Sequence, residues 1–297
     1  MKTSSLILLV LAVVLSVSLV CIWFYPSIQD FMAGNKMWNG IHDFSREQNV
    51  ATLDSLDSLP SGSGNVLIEI PYTVYDSAAL EQIQSYVSRG NTLVLMDDLG
   101  YGNNVLEYLD LPARFNHALL LDPLFCYKNP YLPRITTFSP SLVAAGVQAV
   151  AFNHGSFLDS VESSAVIAWS SSESFADANA NGVRDPAEAA GPLPVAAEYS
   201  LASGRVVLVS DPSLIINTMI GQNDNYLFMQ ALISGRGTPE VVQLDQSHLS
   251  LTPLDSSQAN LAAVRKILVG PYVLILLVAL AFLLVAHYSF RKGDLIG

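Results

Sequence analysis

Asp177, Asn179, Asn181, Gly182, Asp185 and Glu188 stand at the spacing of a calcium loop, D-x-[DN]-x-[DN]-G-x₅-E. Such a loop wraps a hard cation in oxygens from its positions 1, 3, 5, 7, 9 and 12. Here the donors are the side chains of Asp177, Asn179 and Asn181, the carbonyl of Val183, and the side chains of Asp185 and Glu188. Glu188 is the bidentate ligand, and Gly182 takes the sharp turn. Two of the ligands are neutral and Arg184 subtracts charge, so Ca²⁺ is expected to bind weakly, at about 10⁻⁴–10⁻³ M, in a structural role. The competing reading is a surface turn rich in Asn, Asp and Gly that holds no metal. The flanks read as a strand and as Gly191-Pro192, so the loop is a lone insertion rather than one of a helix-flanked pair.

A second set of polar residues follows strand-like runs: Asp97-Asp98-Leu99-Gly100-Tyr101-Gly102-Asn103-Asn104 and Ser210-Asp211-Pro212-Ser213. Ligands of open parallel sheets bind outside the carboxyl ends of the strands. Asp97, Asp98, Asn103, Asp211, Asn217 and Asn225 are therefore candidate ligand-binding residues. The alternative is that the Asp residues are caps and turn formers and the Asn residues bond loop backbone. Neighbouring carboxylates can perform acid–base work, so a hydrolase-like enzyme using Asp97, Asp98 and Asp211 is the runner-up reading. No G-x-S-x-G, Walker, H-E-x-x-H or strand-linked G-x-G-x-x-G motif supplies a nucleophile or metal centre. His42, His117, His154 and His248 are scattered without metal-ligand spacing, and Cys126 lies in no elbow.

These residues need a scaffold, and the pattern around them predicts one. Val66 to Ile70 reads as a buried strand, Ser77 to Ser88 as an amphipathic helix capped by Asp76 or Ser77, and Thr92 to Met96 as a second strand. Two near-continuous apolar strands joined by a helix imply a parallel sheet covered on both faces. Ala165 to Trp169, Val195 to Tyr199 and Arg205 to Val209 are further strands, the last two joined by the hairpin-length loop Ser200 to Gly204. Asp211-Pro212 starts a helix, Asp224 to Ile233 is another, and Val241 to Leu244 is an edge strand in a polar stalk.

Two apolar runs bracket this region, Leu6 to Tyr25 and Ile267 to Phe290. Each can cross roughly 30 Å of hydrocarbon as a helix. The first is too long for a signal-peptide core, and no small-x-small cleavage site follows it. Basic flanks barely decide orientation. Two spans and short tails predict both termini in the cytoplasm and the central domain outside. A weak calcium loop suits that side, where calcium is millimolar.

The 297 residues carry a net charge of −12, which excludes nucleic acid as a partner. Cys21 lies inside the first apolar run and Cys126 outside it, so no internal disulfide is expected. Without an Asn-x-Ser/Thr site the composition suits a prokaryotic envelope protein.

The strand, helix, Gly-Asn-Thr-Leu-Val-Leu strand and Asp-Asp-x-Gly-x-Gly-Asn turn of Val66 to Asn104 resemble domain-of-unknown-function family 4350. So does the segment from Gly191-Pro-Leu-Pro-Val through Gly204-Arg-Val-Val-Leu-Val-Ser-Asp-Pro-Ser to Asp224-Asn225. The resemblance implies a class I glutamine amidotransferase-like fold that has lost its chemistry, since neither the Cys nucleophile nor its His partner stands in context. Related proteins carry Asp-Glu-x-His before the last membrane helix; this chain has Asp245-Gln246-Ser247-His248, without the Glu. The resemblance also implies an accessory role beside a transporter or MoxR-type ATPase.

The expected fold is thus an α/β open, mostly parallel sheet, flavodoxin-like or amidotransferase-like, between two membrane helices. The expected divisions are a transmembrane helix at 6–25, a membrane-proximal linker at 26–64, the α/β domain at 65–236, a stalk at 237–266, a transmembrane helix at 267–290 and a tail at 291–297. The expected function is non-enzymatic binding at the membrane, through the bilayer and a membrane-protein partner.

Overall fold

The computed structural model describes residues 3–235, 237–249, 252–268, 275 and 278–283. Its longer helices are α1 (Thr3–Phe24), α2 (Ser77–Ser88), α3 (Asn225–Ser234) and α4 (Pro253–Leu268). The strands of its main sheet are β1 (Ala51–Leu53), β2 (Val66–Glu69), β3 (Thr92–Met96), β4 (Thr137–Phe138), β5 (Val166–Trp169), β6 (Pro194–Leu201), β7 (Gly204–Val209) and β8 (Val242–Asp245). Two compact units result: Pro26–Ser250, and the described residues before and after it.

The sheet runs β1-β8-β2-β3-β7-β6-β5-β4. The five strands from β1 to β7 in that order are mutually parallel, and β6, β5 and β4 add antiparallel pairings. The fold is therefore mixed α/β with a large, mostly parallel sheet. Successive residues of a strand face opposite sides. Ile68, Val94 and Val207 pack with Phe228 and Met229 of α3, whereas Leu67, Leu93 and Leu208 pack with Ile83, Tyr86 and Val87 of α2. Both faces are covered, which is why these strands are apolar throughout. Asp76 caps α2 by accepting the Ala79 N–H at 2.9 Å.

Several elements depart from expectation. β6 and β7 continue to Leu201 and Gly204, leaving a two-residue turn at Ala202-Ser203. A Cβ on Gly204 would stand 2.0 Å from the Val87 carbonyl oxygen, so only glycine lets this turn pack so close to the end of α2. After Asp211 the chain makes only a short 3₁₀ turn, Pro212–Ile215. The strand expected at an edge near Val241 is β8, which lies inside the sheet between β1 and β2 with all four residues buried. Its alternation of Val, Gln, Leu and Asp reads as half-exposed, yet all four residues are buried and β1 pairs along its outer edge. Both β1 and β8 come from segments expected to be linker and stalk, and the compact unit extends over 26–250.

In the other unit, α1 has 22 residues and is long and apolar enough to cross a membrane, with none of its residues buried. At its end, where a helix leaves carbonyls without intrahelical donors, Gln258 Nε2 of α4 donates to Ile22 O at 2.8 Å and to the carbonyl of Tyr25, the residue after the helix, at 2.6 Å. α4 occupies the end of the expected stalk; Asp255 in its first turn and Arg265 and Lys266 in its last complement the helix dipole. The second expected span, Ile267 to Phe290, lies for the most part outside the described residues, as does the tail at 291–297.

Candidate functional site

The calcium-type loop begins at Asp177, the last residue of a short strand, Phe175–Asp177, paired with Leu119–Leu121. Asp177 is buried, and its two carboxylate oxygens accept the backbone N–H groups of Asn181 at 3.0 Å and Gly182 at 2.9 Å. Gly182 has φ +76°, the left-handed backbone that a sharp turn needs and that glycine adopts without strain. The amide nitrogens of Asn179 and Asn181 both donate to Asp185 Oδ2, at 2.7 and 2.9 Å. Glu188 closes the ring by accepting the N–H groups of Ala178 and Asp185, each at 2.9 Å. Val183 is exposed, and its carbonyl stands at position 7 of the spacing, where such a loop supplies a backbone oxygen. Three carboxylates, two amides and a carbonyl form an oxygen set of the kind a hard cation takes. Asp177, Asn179, Asn181, Val183, Asp185 and Glu188 are the residues that would hold it.

The second group sits at the carboxyl edge of the parallel strands. Asp97, just beyond β3, is buried; its oxygens accept the N–H groups of Leu99 (2.8 Å), Gly100 (3.0 Å) and Gly102 (2.6 Å). Asp211, just beyond β7, has no exposed surface and accepts from Ser213 at 2.8 Å and Asn153 at 2.6 Å. Burial pushes both carboxyls above the usual range, against those hydrogen bonds, and the charge of Asp98 adds to the rise at Asp211. Asp98 is raised to about 7, by burial first and then by Asp97. Asp98 is therefore the one of the three that interacts electrostatically with each of the other two.

The three candidate asparagines are engaged by backbone. Asn103 donates to the Phe115 carbonyl at 3.0 Å and accepts the Phe115 N–H at 2.8 Å. Asn217 accepts from Asp43 N at 3.0 Å and donates to the carbonyls of Asn35 (3.1 Å) and Met37 (2.6 Å), tying the segment before β1 to the loop before α3. Asn225 accepts from Ala151 N at 2.8 Å and donates to the carbonyls of Ala151, Leu214 and Met219 at 2.9–3.2 Å.

The edge also holds a cluster that sequence reading missed. Glu69 ends β2 and Asp245 ends β8, one residue past the paired Ile68 and Leu244. His248 follows in the next turn, its Nδ1 2.5 Å from Asp245 Oδ2. Tyr75 donates its hydroxyl to Glu69 Oε2 at 2.7 Å, and its ring lies over that of His248 with centroids 4.1 Å apart. Burial, then the charge of Asp245, pushes the Glu69 carboxyl well above the usual range. Asp245 moves the other way: burial opposes its charge, but hydrogen bonds from His248 and Ser247 outweigh that and lower it. One signal was legible beforehand, the acidic residue in the otherwise apolar run Val66-Leu67-Ile68-Glu69-Ile70. A charge in a strand buried on both faces requires a partner.

A family model described as a domain of unknown function, DUF4350, matches residues 38–233. No curated protein matches. Among solved structures, the mmIFT52 N-terminal domain is similar at 14% identity and a TM-score of 0.47, over 64% of this chain and 83% of that one. A β-galactosidase from Bacillus circulans sp. alkalophilus is similar at 14% identity and a TM-score of 0.32, over 59% of this chain and 23% of its own. Gan42B, a GH42 β-galactosidase, is similar at 9% identity and a TM-score of 0.32, over 60% of this chain and 22% of its own. Likeness this distant transfers no chemistry.

Proposed function

The chain belongs to the DUF4350 family of domains of unknown function, and from that premise we propose that it is a non-enzymatic, membrane-tethered binding or accessory domain. On this reading the chain crosses the membrane twice, with both termini in the cytoplasm and the sheet-bearing unit outside. The unit works on a membrane-protein partner, of the kind that accompanies a transporter or MoxR-type ATPase. Its amidotransferase-like sheet is a scaffold without the nucleophile, and its loop from Asp177 to Glu188 takes Ca²⁺ structurally.

The observation that carries this reading is the use of Asp97 and Asp211. Both oxygens of each accept backbone N–H groups, so these carboxylates shape the turns that follow their strands. The test has two arms on the full chain. Protease added to intact spheroplasts is expected to cut within 26–250; protection there places the unit inside and removes the extracytoplasmic reading. Purification in mild detergent with millimolar calcium is expected to bring down a membrane protein at fixed stoichiometry; recovery of the chain alone counts against an accessory role.

One observation favours the hydrolase-like alternative: Asp98, held near 7, has the proton affinity of a general base. In that case a substrate turned over by the wild type is left intact by Asp98→Asn.

A further inference from the structure

We propose that Glu69, Asp245 and His248 form a binding site for one first-row divalent cation, with Zn²⁺ the favoured occupant, at the carboxyl edge of the sheet. The site is separate from the calcium-type loop and goes beyond the binding role argued above.

Geometry is the first support. One ligand atom from each of the three residues lies within 4.8 Å of the other two. Small side-chain adjustments bring the three within reach of one cation bonded at roughly 2.0–2.2 Å. Two of the ligands stand at the ends of neighbouring buried strands, Glu69 on β2 and Asp245 on β8, so their backbone is rigid. The third is held too: the His248 carbonyl accepts the Tyr72 N–H at 3.0 Å, and Tyr75 packs against the imidazole.

The second support is independent of the clustering. Glu69 has no exposed surface, and its Oε1 receives no hydrogen bond. Asp245 beside it is likewise an acceptor, so the two side chains can bond only through a proton shared between them, which a bound cation would replace. Leaving a buried carboxylate oxygen without a partner is costly, and a cation between the two carboxylates removes that cost while offsetting both charges. The other oxygen, Oε2, is fixed by the Tyr75 hydroxyl at 2.7 Å, as outer-shell partners fix the carboxylates of metal sites.

Donor chemistry selects the metal. Ca²⁺ and Mg²⁺ prefer all-oxygen shells, whereas one imidazole and two carboxylates suit Zn²⁺ and its first-row neighbours. Three protein ligands leave a coordination position for water or an exogenous donor. The His248 side chain keeps 17% exposure, so the cluster meets solvent on that side.

The test uses the full chain in detergent, stripped with chelator and returned to millimolar Ca²⁺ so that the loop does not compete. Zn²⁺ is titrated calorimetrically, and Co²⁺ is added separately to read its visible absorption. One Zn²⁺ per chain is expected, along with a Co²⁺ spectrum typical of mixed N/O ligands. Glu69→Gln keeps the volume of the side chain and His248→Ala is partly exposed; each is expected to abolish both signals with an unchanged circular dichroism spectrum. Tyr75→Phe is expected to weaken Zn²⁺ roughly 10–100-fold, and Asp177→Ala to change nothing. Absence of Zn²⁺ binding by the wild type overturns the proposal. So does binding that survives both Glu69→Gln and His248→Ala, or that disappears with Asp177→Ala. None of these results bears on which membrane partner the chain has, so this inference and the accessory role fail separately.

Discussion

Glu69 and Asp245 lie side by side at the ends of adjacent parallel strands, 176 positions apart in the chain, one step beyond the register pair Ile68 and Leu244. Their proximity is a product of strand order: β8, the last strand of this sheet among the described residues, inserts between the first two. Each carboxylate then has its own donors, Tyr75 for Glu69 and Ser247 and His248 for Asp245. Removing the Tyr75 hydroxyl leaves both Glu69 oxygens without a donor. Tyr75→Phe is accordingly expected to lower stability by about 1–3 kcal/mol in metal-free buffer. Urea unfolding followed by tryptophan fluorescence checks this, and an unchanged midpoint would show that the hydrogen bond contributes nothing.

The insertion of β8 has a consequence for the length of chain the sheet-bearing unit needs. A chain ending at residue 236 loses β8 and exposes the flanks of β1 and β2, together with Val242 and Leu244 sites in the core. It is expected to be insoluble or unfolded, whereas residues 26–250 retain a cooperative melt. A folded 1–236 chain, judged by its amide NMR dispersion, contradicts the role assigned to β8.

Asn225 is expected to be among the most sensitive positions. Its amide joins the 149–152 segment and the 3₁₀ turn after Asp211 to the start of α3. Asn225→Ala strands the Ala151 N–H and takes the side-chain donor from the carbonyls of Ala151 and Leu214, while the Met219 carbonyl keeps the Gln222 N–H; it is expected to cost roughly 3 kcal/mol. Asn225→Asp should be at least as harmful, because it sets a carboxylate against those carbonyls. Thermal melts of the two variants test this; a loss below about 1 kcal/mol in both would falsify a structural role for the amide.

Asp98 sets a pH dependence. Burial and Asp97 raise its carboxyl from 3.8 to about 7. Between those values the folded chain keeps a proton that the unfolded chain has released. The stabilisation is complete below about 3.8 and is lost as pH rises through about 7. Asp98→Asn removes this dependence and is expected to raise Tm at pH 8 relative to wild type. The ceiling is about 4 kcal/mol, reduced by the partial exposure of the residue, at roughly 2–4 °C per kcal/mol. Parallel Tm–pH curves for the two proteins exclude the effect.

Calcium should stabilise the sheet-bearing unit modestly. With affinity of about 10⁻⁴–10⁻³ M, roughly 10 mM Ca²⁺ adds about 1.4–2.7 kcal/mol by mass action. Asp177→Ala is expected to abolish that increment, because it removes both a ligand and the acceptor that shapes the turn at Gly182. A calcium-dependent melt that persists in the variant points to a different site.

Local pattern carried much of the framework. Thr92–Met96 and Ser77–Ser88 were legible to the residue, because a strand buried on both faces is apolar throughout and an amphipathic helix repeats every 3.6 residues. The ring from Asp177 to Glu188 was legible because its contacts span only a dozen consecutive residues. What stayed hidden depended on long-range pairing. Val242–Asp245 looked like an edge strand because nothing in its own residues reveals that β1 covers it. Asn225 looked like a ligand because its true partner, Ala151, is 74 positions away.

The sequence alone determined that one end of this chain forms an apolar helix, that a parallel α/β sheet follows, and that one loop has calcium-ligand spacing. Each is a periodic or contiguous property, set by short-range sterics and by solvent. Only the tertiary structure decided that Glu69, Tyr75, Asp245 and His248 meet, because sheet order is fixed by the packing of the whole core and not by any segment's own preference. The same packing buried Glu69 and left its Oε1 without a donor, turning an unremarked acidic residue in a strand into the centre of a candidate metal site.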